Sequence, residues 1–298
     1  MKLAAFALAA FLATSAHAAP AAPQPPRLFD HSRLIIGDRI SVEVVGRGPD
    51  LILVPGLESS RETWKATAER LRGRYRLHLV QVAGFAGEPA RANASGPVLA
   101  PTAEAIDAYI VAQHLTPATV IGHSLGGTMI LWLAEHHPEH LKKAMIVDAV
   151  PWVAQVFISP AVTTEQARAV GEHARVAPPL PEAAQARMIG FIVTGDADRA
   201  MVLGWAKASD PKVVGNALAD DMELDLRPGL GAIKTPITLL YPDDVAAGAP
   251  AGSTDPMYKS AFAAAPTVKL ERVDHSLHFI MLDQPAVFAA DLDAFLAG

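Results

Sequence analysis

The chain contains no cysteine at all. Disulfides and thiolate metal sites are therefore excluded, and stability cannot depend on the redox state of the compartment. Charge is also scarce: 19% of the 298 residues are Asp, Glu, Lys or Arg, and the net charge is −6. That balance gives no electrostatic reason to expect nucleic acid or an anionic lipid surface as a partner. Long apolar runs are missing too. Leu3 to Ala13 is too short to span a bilayer as a stable helix, and no later stretch is long enough. What the chain has in quantity is hydrophobic residues, 51% of the total, enough for a sizeable core and against extensive disorder.

The first residues have the pattern of a targeting segment. Lys2 supplies a positive start, the apolar run follows, and Ala16-His17-Ala18 offers the small-x-small pattern of a signal peptidase site. Residues 1–18 are expected to be a signal peptide, and residues 19–30 a Pro/Ala-rich leader, Pro-rich through Pro26. A periplasmic or secreted location is the corresponding expectation, with no stable membrane span once the signal is cleaved.

From residue 31 onward the pattern alternates. Arg33–Ile36 and Ile40–Val45 flank Gly37-Asp38 as a hairpin signal. Leu51–Val54 is an unbroken apolar run of the kind buried on both faces of a parallel sheet. A helix over about 61–71, a strand over 75–82, a helix near 102–114 and strands over 118–121 and 141–147 continue the rhythm. It breaks at Pro151. Residues 151–231 are Ala-rich and helical without a convincing strand, and alternation resumes at Pro236–Tyr241 and runs through a strand over 267–273 to a helix over 285–296. The expectation is an α/β domain over 31–298, with a mostly parallel sheet, helices on both faces, and an inserted helical cap over the carboxyl ends of the strands.

Chemistry concentrates at Gly122-His123-Ser124-Leu125-Gly126-Gly127, where an apolar strand runs into a helix-forming segment. A strand, Gly-x-Ser-x-Gly and a helix form the context that makes a serine a nucleophile, because the tight turn lifts its hydroxyl above the sheet. No lysine follows the glycines, so a phosphate-binding loop is not supported. Ser124 needs a neutral imidazole to take its proton, and the imidazole needs a carboxylate to hold its tautomer. His278, in the loop after the last strand, is the expected base, with His275 as competitor. The acid should lie between them in chain order, after a strand. Asp244 is the first choice, with Asp243 beside it and Asp148 after the strand 141–147 as alternatives. The oxyanion donors expected are the backbone N–H groups of Leu125 and of Leu57, in the Pro55-Gly56-Leu57 turn.

These segments, in this order, resemble the α/β-hydrolase superfamily in its capped, esterase-like serine branch. Two differences stand out: many relatives have His-Gly in place of Pro55-Gly56, and a glycine in place of Leu277 before the base. The resemblance implies a serine hydrolase acting on a small, fairly apolar carboxylic ester through an acyl-enzyme. Peptidase, lactonase or carbon–carbon hydrolase chemistry, or a non-catalytic ligand-binding relative, stand as alternatives on the same scaffold. No cofactor and no metal are expected. His136, His137 and His140 near a helix end are taken as ordinary surface residues, and the cap side chains Trp152, Phe157, Met188, Phe191, Met201 and Trp205 as packing or as the wall of an acyl pocket.

Overall fold

The computed structural model describes residues 26–298, so the expected signal peptide and most of the leader lie outside the described residues. The described part of the leader is not loose. Leu28 and Phe29 donate their backbone N–H groups to the Glu43 carboxylate, and Phe29 is buried in the core.

Eight strands form one sheet: β1 (Arg33–Ile36), β2 (Ile40–Gly46), β3 (Asp50–Val54), β4 (Arg76–Val82), β5 (Ala118–His123), β6 (Leu141–Val147), β7 (Ile237–Pro242) and β8 (Val268–Val273). Their spatial order is β1-β2-β4-β3-β5-β6-β7-β8; the β1–β2 and β2–β4 pairs are antiparallel and the rest parallel. The central strands are buried on both faces because helices cover both sides, which explains why β3 is apolar throughout after Asp50. One core packs α2 (Leu99–Ala112) and α3 (Leu125–His136) against the sheet. The opposite core is built from α1 (Lys65–Leu71) and the C-terminal segment.

Between β6 and β7 the chain forms α4 (Ala154–Phe157), α5 (Thr164–Val176), α6 (Glu182–Ile189), α7 (Asp196–Ala208) and α8 (Pro211–Glu223). No strand occurs there among the described residues, in line with the composition of that segment. The N-termini of two cap helices follow directly from sequence: Thr163 and Gln166 make a reciprocal capping box on α5, and Asp210 accepts from the N–H groups of Lys212 and Val213 on α8. After β7 come α9 (Asp255–Ala261), β8, α10 (Ile280–Asp283) and α11 (Pro285–Ala297). Among the described residues no helix is long and apolar enough to cross a membrane.

The cap aromatics divide sharply. Trp152 is buried and donates its indole N–H to Met222 O, and Trp205 is buried and donates to Glu62 Oε2. Phe157, Met188 and Phe191 are more than half exposed. An acyl-pocket wall made of all of them is therefore not what the fold builds: the two tryptophans hold the cap to itself and to the sheet domain.

Candidate active site

The register of β5 and β6 brings the key residues together. His123 pairs with Val147, so Ser124 and Asp148 are the first residues beyond two adjacent strand ends. Ser124 N–H donates to Val147 O at 2.9 Å, and Asp148 N–H donates to Leu240 O at 2.8 Å, which fixes both corners to the sheet. Both residues have positive φ, 52° at Ser124 and 50° at Asp148. Such backbone costs about 1–3 kcal/mol per residue and persists where the surroundings enforce it.

The turn around Ser124 needs its glycines for space. A Cβ on Gly122 would lie 2.4 Å from Gly126 O, and one on Gly56 would lie 2.9 Å from the Ser124 Cβ. Gly56 thus lets the loop after β3 press directly against the serine, and Leu57 follows it. Leu125 opens α3, where backbone N–H groups have no helical acceptor. Both expected oxyanion donors accordingly come from segments that flank Ser124. Next to Leu57, Glu58 lines a cleft of about 270 Å³ with Leu180, Ala206 and Ser209 of the cap, and burial pushes its carboxyl up to about 7.

Of the two expected candidates, His278 and not His275 meets a carboxylate, that of Asp148. Its Nδ1 lies 2.6 Å from Asp148 Oδ2. The expected Asp244 contact is therefore corrected. Asp244 stands two residues beyond β7, in a left-handed turn, and its backbone N–H donates to Ser276 O. Asp243 points elsewhere, accepting from the N–H groups of Val245 and His275. Asp148 lies just beyond the end of the strand that neighbours the serine's own, and its Oδ2 holds Nδ1. Asp244 remains close enough to sense the pair: burial, then the Asp148 charge, push its carboxyl up to about 6. His275 carries no part of this arrangement; its backbone N–H and carbonyl are held by Asp243 and Gln284.

Burial alone would lower the His278 pKa. The charge and hydrogen bond of Asp148, with Asp244 and Asp283 nearby, outweigh that and hold it above an ordinary histidine's value. The other oxygen of Asp148 accepts from the Tyr258 hydroxyl of α9. Tyr258 is buried and stacks on Tyr241 at 4.4 Å, and burial beside Asp148 keeps its phenol protonated as a donor. Sequence reasoning missed Tyr258, since nothing in its local pattern marks a tyrosine 110 positions from its acceptor.

A second histidine completes the support. His123 Nε2 donates to the His278 carbonyl oxygen at 3.0 Å, and its ring lies 4.5 Å from that of His278. Complete burial, reinforced by His278, keeps His123 neutral. On the other side the cap holds the loop of His278. Asp283 Oδ1 accepts from the Thr194 N–H and hydroxyl, its Oδ2 accepts from Leu277 N–H, and Phe279 N–H donates to Ile192 O.

Comparison with known proteins fits this architecture. The model of the Alpha/beta hydrolase family matches residues 51–291. A pimeloyl-[acyl-carrier protein] methyl ester esterase of Nitrosomonas europaea is 26% identical over 263 residues, covering 86% of this chain and 98% of that protein. The enzyme of the same name from Aeromonas salmonicida is 38% identical over 112 residues, so the match spans only 42% of its length and 38% of this chain. Among solved structures, the esterase EaEST from Exiguobacterium antarcticum superimposes with a TM-score of 0.72 at 19% identity, over 87% of this chain and 96% of that one. With strand order, serine turn and family match in agreement, the chain belongs to the alpha/beta hydrolase family.

Proposed function

We propose that the protein is a serine hydrolase that cleaves a small, fairly apolar carboxylic ester, with Ser124 as nucleophile, His278 as base and Asp148 as acid. The observation that carries this reading is the 2.6 Å contact of His278 Nδ1 with Asp148, one residue beyond the strand that pairs with the serine's own. Asp148 fixes the tautomer with the proton on Nδ1, which leaves Nε2 free to accept. Nε2 takes the Ser124 proton as Oγ attacks the ester carbonyl. The negative charge on the tetrahedral oxygen falls to the N–H groups of Leu57 and Leu125, each donor of this type contributing about 3–4 kcal/mol. The imidazolium, stabilised by Asp148, returns the proton to the departing alcohol. Water then repeats the sequence on the acyl-enzyme, with His278 again as base.

The names of the similar esterases favour an ester of a small alcohol, such as a methyl ester, within the broader class. The test is a fluorophosphonate probe together with a panel of methyl and p-nitrophenyl esters of increasing acyl length. Labelling confined to Ser124 and turnover that falls by several orders of magnitude in Ser124→Ala are expected, with residual catalysis of roughly 10³ over water. Wild-type turnover in Ser124→Ala would remove the reading, and so would turnover confined to amide substrates.

A further inference from the structure

The far end of α3 carries a second cluster of polar side chains that the hydrolytic reading does not use. Two pairs of residues, each three apart, face one another there. Glu104 and Asp107 lie on one face of α2. His137 and His140 bracket a 3-10 turn at Pro138–His140, in which His140 N–H donates to His137 O at 3.0 Å. In that geometry residues i and i+3 eclipse, and the two imidazoles stand with ring centroids 5.8 Å apart and planes 5° from parallel.

Both rings direct Nδ1 at the same carboxylate. His140 Nδ1 lies 2.7 Å from Asp107 Oδ1, and His137 Nδ1 lies 3.9 Å from Asp107 Oδ2. One ligand atom from each of Asp107, His137 and His140 lies within 4.8 Å of the other two. Around a tetrahedral ion with bonds of about 2.0–2.1 Å, ligand atoms sit about 3.4 Å apart, so shifts of an ångström or less would suffice.

Carboxylates stand near both outer nitrogens without hydrogen-bonding them: His137 Nε2, buried and without a hydrogen-bond partner, lies 3.2 Å from Glu104 Oε2, and His140 Nε2 lies 3.7 Å from Glu139 Oε1. A carboxylate within reach of the outer nitrogen is the kind of partner that orients metal-ligating histidines and raises their basicity. The centre further lies at the carboxyl end of α3, where the helix dipole favours positive charge.

We infer that Asp107, His137 and His140 form a binding site for a divalent transition-metal ion, Zn²⁺ first among them, with Glu104 and Glu139 as outer partners and water in the fourth position. Two imidazoles and one carboxylate suit zinc better than calcium or magnesium, which take oxygen ligands. Binding replaces the Nδ1 proton that His140 otherwise shares with Asp107. The site stands apart from the serine: α3 is 12 residues long, so about 18 Å of helix separates it from Ser124. It pins the end of α3 to α2.

The experiment is titration of the chelator-treated full chain with ZnCl₂ by calorimetry, with Co²⁺ absorption as a second probe and thermal melts alongside. The expected result is one ion per chain with micromolar or tighter affinity and a melting temperature that rises on addition of zinc. Glu104→Gln should weaken binding roughly 10–100-fold, and His140→Ala by more than that. His136→Gln should leave it unchanged, because His136 stacks on Trp132 and donates to Trp132 O, outside the cluster. Absence of saturable binding overturns the inference, as does an unchanged affinity in the Glu104→Gln and His140→Ala chains.

Discussion

At the scale of single residues, two carboxylates compete to define the base. Asp148 holds Nδ1 and Asp244 contributes charge from beyond contact, so their removal should have separable signatures. Asp148→Asn is expected to lower kcat by about 10⁴-fold, because an amide cannot hold the required tautomer. Asp244→Asn should cost only a few-fold at pH 8 and should shift the acid limb of kcat/KM to lower pH. The sign follows from charge: an ionised Asp244 stabilises the imidazolium, and without it His278 loses its proton earlier. For the same reason the wild-type acid limb should lie above 6.5, the ordinary histidine value. Steady-state rates from pH 5 to 9 decide it; an unchanged limb in Asp244→Asn, or a severe loss there with a mild one in Asp148→Asn, reverses the assignment. The serine turn at Ser124 and a histidine beside a carboxylate at His278 were legible in sequence because the turn has a local signature and the loop after the last strand is short. The carboxylate that meets His278 had no such signature. Asp148, Asp243 and Asp244 all follow apolar strands, and only the folded contact of His278 Nδ1 with Asp148 distinguishes them.

At the scale of elements, the sheet and the cap were legible because both rest on periodicity: short apolar runs alternating with helical stretches, then 80 residues with no strand. The contents of the cap were not. A cap aromatic that packs inside the fold and one that stands out to solvent have the same spacing, and only burial separates them, as with Trp152 and exposed Phe191. Nor could sequence show that the segment between α6 and α7 clasps the base loop. Asp283 is the hinge of that clasp, with both oxygens engaged, one by Thr194 of the cap and one by Leu277 beside the base. Asp283→Ala is therefore expected to lower kcat by about tenfold or more through poor placement of His278, while fluorophosphonate labelling of Ser124 slows in parallel and the melting temperature falls by a few degrees. Wild-type kcat with an equally lowered melting temperature would show the clasp to be purely structural.

At the scale of the whole molecule, a carboxyl under the cap makes stability depend on pH. Asp221 on α8 has a buried oxygen without a partner, and burial, against a hydrogen bond from Thr128, pushes its carboxyl up to about 7. The unfolded chain releases that proton near 3.8 and the folded chain only near 7. Between those values the folded state binds more protons, so this group's contribution to stability falls as pH rises. Asp221→Asn should match the wild type near pH 4 and exceed it increasingly up to pH 7–8, by roughly 1–3 kcal/mol or a few degrees of melting temperature. Melts at five pH values test this; a difference constant with pH would contradict it. The sequence shows Asp221 as one acid among several on α8, and only its burial in the fold, with Thr128 of α3 beside it, makes it unusual.

His123 has a consequence beyond packing. It is the covalent neighbour of Ser124, and the same side chain grips the backbone of His278. Thermal breathing of the strand ends should thus displace Ser124 and His278, the proposed nucleophile and base, in concert. Proton transfer depends on the gap between the two groups and not on where either lies in the molecule. A single shared imidazole makes their positional errors correlated, so the gap can be narrower in its fluctuations than either of the groups that define it.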